Sequence, residues 1–198
     1  AKFEQKVSYT CDYVYIFGYQ DTQIGAEGPL LRGELSQMIY RLVRQNGEPK
    51  STGKVFADTS GQWFQSGIAY MAQKGAIDST KDKAYPYVAV TRGETYKMLC
   101  LGLGYTSDTS LRLSQYAAIL ENHGFNTPES SVSGTIKRYE FCELFNEILG
   151  RTGYSLEYEP GKEITPETYG YKDLKTTDSY YRTMMIATST FKEGKVDV

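Results

Sequence analysis

Three stretches of the chain carry one spacing of apolar positions. In GPLLRGELSQMIYRLV (28–43), Leu35, Met38, Ile39, Leu42 and Val43 follow an Arg-x-Glu step. In SGTIKRYEFCELFNEIL (133–149), Phe141, Leu144, Phe145, Ile148 and Leu149 follow the same step. YVAVTRGETYKMLCLGL (87–103) gives Met98, Leu99 and Leu103, with Thr95 and Gly102 thinning the stripe. Spacing of i, i+3, i+4, i+7 and i+8 places one buried stripe on an amphipathic helix, so each stretch predicts a helix with its arginine in the first turn.

A second pattern falls between these. VFADTSGQWFQSGIAYMAQKGAI (55–77) opens with an aromatic and an acid, then a helix carrying Trp63, Ile68, Met71 and Ala72, stopped by Gly75. TSLRLSQYAAILENHGF (109–125) has the same shape with Tyr116, Ile119 and Leu120, stopped by Gly124. YKDLKTTDSYYRTMMIA (171–187) repeats it with Tyr171, Asp173, Tyr180 and Tyr181. A glycine just past the last apolar position is an ordinary helix stop. The first helix of the chain and the last one lack partners of the other type. Repeats of this size predict stacked helical units sharing a core, with the two orphans closing one unit. The expected organisation is one domain over 1–198, mainly all-α, with short or irregular strands in loops at most. Its units are 12–47 with 170–190, 55–104 and 108–150. The acidic, Pro- and Gly-bearing stretch from Glu157 to Thr168 reads as part of a linker at about 151–169.

The helix starts raise a chemical question. Thr91 and Glu94 fit a capping box, in which the hydroxyl takes a first-turn amide and the glutamate reaches back. Glu34 and Glu140 hold the matching place, and a carboxylate suits the positive helix end. Arg32, Arg92 and Arg138 do not suit it: a cation in the first turn opposes the helix dipole by about 0.3 kcal/mol or more. Two explanations stand open. One is an ion pair with a carboxylate of a neighbouring segment, such as Asp58 or Asp173. The other is an anionic ligand, held by the guanidinium fork beside helix-end amides.

Composition narrows the chemistry. The 198 residues include 22 basic and 24 acidic ones, a net charge of −2. No basic block stands out, which argues against nucleic acid as a partner. No apolar run approaches the ~20 residues of a membrane span, and the first residues do not read as a signal peptide. Cys11, Cys100 and Cys142 form no CxxC pair, and their odd number excludes a fully paired disulfide framework within the chain. The single histidine, His123, and scattered thiols make a poor metal site, so no metal and no cofactor is expected. No nucleophile–base motif is present, and GLG at 102–104 follows a helix and lacks a third glycine, so the expectation is a non-enzyme. The 18 tyrosines offer flat apolar area with a polar tip, suited to a half-exposed helical surface or to sugars.

Taken in order, these segments resemble the S-layer homology (SLH) domain with three motifs. YIFGYQD (15–21) is similar to the Gly-Tyr-x-Asp loop, VTRGE (90–94) to the Thr-Arg-Ala-Glu element, and 55–77 to the first helix with its lead-in. YKDLKTTDSYYRTMMIAT (171–188) is similar to the closing half-motif of a permuted arrangement, and the likeness covers about 12–190. The resemblance implies a pseudo-threefold bundle of three helix-loop-helix motifs at the bacterial cell surface, with any signal peptide absent or already removed. It implies non-covalent binding of a secondary cell wall polysaccharide, often pyruvylated, in grooves between motifs, with other surface proteins as further partners. By position, Arg92, Arg32 and Arg138 would face the acidic sugar, with Trp63, Gly18, Tyr19 and Asp21 around it. Departures are clear in the chain: no glycine follows Asp21, DSTKDKAYPYVAV (78–90) lacks the Gly-Tyr-x-Asp-Gly loop, and NTPESSVSGT (126–135) is unlike it too. The competing expectation is therefore a degenerate scaffold or protein-interaction module that keeps the fold without the sugar site.

Overall fold

A computed structural model describes residues 9–16, 22–127, 132–193 and 195–197. Among them are six helices: α1 Arg32–Gln45, α2 Gln65–Gln73, α3 Arg92–Gly102, α4 Leu113–Asn122, α5 Arg138–Ile148 and α6 Tyr181–Ala187. Four short strands, β1 Glu157–Glu159, β2 Lys162–Glu163, β3 Phe191–Lys192 and β4 Lys195–Val196, form two antiparallel pairs, β1–β2 and β3–β4. The described chain is mainly helical.

Each Arg-x-Glu step starts its helix at the arginine itself, in α1, α3 and α5. The expected stripes are buried in all three, including Leu35, Ile39, Leu99, Phe141 and Phe145. The two thin places in α3 have separate reasons. Thr95 is buried with its hydroxyl on the Thr91 carbonyl at 2.9 Å. Gly102 is a close approach: a Cβ there would lie 2.6 Å from Met71 Cε and 2.7 Å from Ile39 Cγ2. Gly75 (φ +77°) and Gly124 (φ +92°) stand just past α2 and α4 in the left-handed region that glycine tolerates.

The chain divides into two compact units. The first contains Tyr9 and Pro29–Ile136, with α1 packed on α2 and α3 on α4. Its buried residues include Leu35, Ile39, Val43, Ile68, Met71, Leu99, Tyr116 and Leu120. The second contains the described residues of Thr10–Gly28 and Lys137–Val198; it holds all four strands, and in it α5 packs on α6. The main helix partners therefore run one step out of phase with the units expected from the repeats: each Arg-x-Glu helix packs most on the helix that follows it.

In the second unit the N-terminal segment lies against the C-terminal half. Tyr15 N donates to Ala187 O, and Phe191 N to Asp12 O at 2.7 Å. Arg151, fully buried, holds this seam: its guanidinium donates to the carbonyls of Cys11, Tyr13, Ile186 and Ser189. The stretch expected as a linker is instead folded. Leu156 and Ile164 are buried, Ile164 N donates to Leu156 O at 2.9 Å, and Gly161 (φ +74°) turns the β1–β2 hairpin between them. Glu159 and Glu163 are exposed and Glu157 is half-buried, so surface charge hides the turn in the sequence.

Candidate functional site

The lead-in to each Arg-x-Glu helix is an extended step that docks on another lead-in or loop of its unit. In the first unit Leu31 bridges Ala89 and Thr91 bridges Thr135, both antiparallel. The first helical amides are then used in one pattern. Arg32 N and Gly33 N donate to Val88 O and Pro86 O, and Arg92 N and Gly93 N to Gly134 O and Val132 O. In the second unit Arg138 N and Tyr139 N donate to Gly28 O and Ala26 O. These amides were the expected anion-binding partners of the arginines; they are occupied by loop carbonyls.

The capping residues also divide. Glu34 Oε1 accepts the Leu31 amide at 3.2 Å, and Glu140 Oε1 the Lys137 amide at 3.1 Å. In α3, Thr91 Oγ1 accepts the Glu94 amide at 3.1 Å, while Glu94 Oε2 lies 3.4 Å from Arg32 Nη2.

The two acids named as ion-pair candidates each grip a loop instead. Asp58 accepts the amides of Ala84 and Tyr85, one on each oxygen, at 2.9 and 2.8 Å. Arg32 Nη1 donates to the carbonyls of the same two residues, at 2.8 and 3.3 Å. Acid and arginine thus clamp one dipeptide, the acid on its N–H groups and the arginine on its C=O groups. Asp173 repeats the grip on Ile24 and Gly25, at 2.8 and 2.9 Å, and Arg138 Nε donates to Ile24 O at 3.3 Å. The second residue of each clamped pair is left-handed: Gly25 at φ +61°, but Tyr85 at φ +55°, a conformation that a residue with a Cβ adopts at some cost.

The three arginines end in different surroundings. Arg138 is fully buried, which takes it out of the expected ligand-facing set. Arg92 is half-buried, with Nη1 3.3 Å from Ser133 O. Arg32 lines a cleft of about 290 Å³ in the first unit. Lys81, Lys83 and Lys97 line it too, against two acids, Asp78 and Glu94. Ala76, Ile77, Ala84, Met98 and Leu113 supply the apolar wall, and Tyr85 also lines it. Four cations against two carboxylates make this a positive cleft, suited to an acidic ligand. Asp78 is held below the usual carboxylate range by hydrogen bonds from the Thr80 hydroxyl and amide.

Trp63 is not on a helix, as the pattern had suggested. α2 begins only at Gln65, so Phe64 takes the core position and Trp63 stands 62 % exposed. Trp63 and Tyr87, which is 66 % exposed, both meet the buried Phe64 ring edge-on, at 5.1 and 5.4 Å. Gly18, Tyr19 and Asp21 lie outside the described residues. Thr22, which stands where the glycine after Asp21 was missed, is left-handed at φ +63°.

The lysines of the cleft were not singled out in the sequence. Lys81 and Lys83 sit in a loop that looked eroded, and Lys97 lies three residues after Glu94, on the same helix face. Their signal was charge of one sign gathered around Arg32.

His123 caps α4 locally, with Nδ1 2.8 Å from Ile119 O. Among the described residues no cluster of His, Cys, Asp and Glu could hold a metal ion, and no helix is long and apolar enough to cross a membrane. No family model matches this chain, and no curated protein matches it in sequence.

Proposed function

We propose that this chain is a non-catalytic cell-surface anchoring module of the SLH type, which binds an acidic, pyruvylated secondary cell wall polysaccharide. The observation that carries the reading is the cleft at Arg32, where a helix-start guanidinium is joined by Lys81, Lys83 and Lys97. A pyruvylated sugar presents a carboxylate on a polar ring. An arginine fork with neighbouring ammonium groups would hold that carboxylate through charge-assisted hydrogen bonds. The pseudo-threefold bundle and the extracellular location are parts of the same proposal. The three matching helix-start junctions support the bundle. Arg32 is the first ligand residue in this reading and Arg92 the second. Affinity from one cleft would be modest and would rise by avidity on a wall carrying many copies of the sugar.

A second reading, the scaffold without sugar binding, is favoured by one observation. The first two amides of α1, α3 and α5 are engaged by loop carbonyls, and Arg138 is buried. Co-sedimentation with Gram-positive cell walls separates the two. The anchor reading expects binding that disappears after acid extraction of the secondary polysaccharide. It also expects Arg32→Ala to weaken binding by about tenfold or more, the worth of a charged hydrogen bond. Equal binding by Arg32→Ala, or no binding to several pyruvylated walls, leaves the scaffold reading.

A further inference from the structure

We propose that Glu94 is an internal counter-ion for Arg32, held in the anion position of the cleft until an acidic ligand displaces it. The inference rests on the reading of this cleft as an anion site. It adds a device that sets how acidic a ligand must be.

The geometry separates the two ends of the guanidinium. Nη1 is committed to the carbonyls of Ala84 and Tyr85, and Nη2 faces Glu94 Oε2 at 3.4 Å. A ligand carboxylate that takes Nη2 therefore competes with Glu94. Glu94 is also placed differently from its counterparts. Glu34 and Glu140 reach back to the amide before their helices, whereas Glu94 turns its carboxylate to an arginine of another helix while Thr91 Oγ1 accepts the Glu94 amide. Both partners remain partly accessible, at 20 % for the Arg32 side chain and 38 % for Glu94. The pair is long and wet enough to open, and the lysines that share the cleft would leave it strongly positive once Glu94 has swung away.

The test is calorimetric titration of the whole chain with a methyl hexoside carrying a pyruvate ketal, and with the same hexoside lacking it. Wild type is compared with Glu94→Gln and Asp78→Asn, after circular dichroism shows both variants folded. Asp78 lines the same cleft but is bonded to Thr80, so its variant removes a charge without removing a competitor. The expected result is that Glu94→Gln binds the ketal sugar about two- to fivefold tighter, the range for a partly exposed ion pair, with Asp78→Asn changing it less. The neutral sugar is unaffected. Equal gains from the two variants, or weaker binding by Glu94→Gln, overturn the counter-ion role while leaving the cleft as an anion site. No heat from wild type or Glu94→Gln with the ketal sugar overturns the reading of the cleft, and the inference with it.

Discussion

Removing the Asp58 carboxylate tests the clamp on which the cleft is built. In Asp58→Ala the amides of Ala84 and Tyr85 lose a charged acceptor at 2.9 and 2.8 Å. Ala84 is buried, so its amide is left without replacement; a hydrogen bond to a charged group is worth about 1.5–3 kcal/mol there. Tyr85 is 57 % exposed, so water takes over its amide and that loss is about 0.5 kcal/mol. Against this, the loop is free to relax the φ +55° backbone of Tyr85, returning about 1 kcal/mol. The net expectation is a loss of about 1–2.5 kcal/mol. In urea, with a slope of about 2 kcal/mol/M, the midpoint falls by about 0.5–1.25 M.

The same experiment distinguishes a clamp from two unrelated contacts. Arg32 holds the carbonyls of the residues whose amides Asp58 holds. Once one side is cut, the other grips a loop that has already moved. A double-mutant cycle of Asp58→Ala with Arg32→Met should therefore show coupling of at least about 0.5 kcal/mol. A loss under about 0.5 kcal/mol for Asp58→Ala, or additivity of the pair within about 0.3 kcal/mol, refutes the reasoning.

Two other outcomes follow from the second unit and the thiols. Arg151→Ala leaves the carbonyls of Cys11, Tyr13, Ile186 and Ser189 without their shared donor, and should cost about 3 kcal/mol or more. For a chain of this length that is a fall in melting temperature of about 6–12 °C, and a variant melting within about 2 °C of wild type would refute the role. Cys100 and Cys142 are fully buried, and burial pushes the Cys142 thiol up to about 12. At pH 8 a thiol reagent should label Cys11 alone in the native chain and all three cysteines after denaturation; native labelling of Cys142 would contradict its burial.

What was legible in the sequence was local. Arginine, glutamate and an apolar stripe at helical spacing lie within one or two turns, and each helix starts where that signal says. What was hidden depends on distant partners. Gly102 looked like a gap in a stripe, and only the approach of Met71 and Ile39 explains it. Trp63 and Phe64 are adjacent, and periodicity could not decide which faces inward without the true start of α2. The β1–β2 hairpin was masked by its charges. Leu156 and Ile164, flanking Pro160 and Gly161, were the available sign of a buried turn. The cleft was partly visible: Arg32 stood out, but Lys81 and Lys83 were counted as loop erosion rather than as charge collected about it.

The arginine at each helix start now has a physical reason that does not depend on a ligand. The dipole penalty is a few tenths of a kcal/mol. Each guanidinium offsets it with carbonyl oxygens of a loop: those of Ala84 and Tyr85 for Arg32, Ser133 for Arg92 and Ile24 for Arg138. Fixing the loop is the work common to all three, and ligand binding is possible only where part of the guanidinium stays accessible. Arg32 keeps that access, with its side chain 20 % exposed, whereas Arg138 is fully covered. A groove of this design can therefore lose its ligand and still keep its arginine. The arginine alone is weak evidence for binding, and the surrounding charge is the better guide, which singles out the lysine-lined cleft at Arg32.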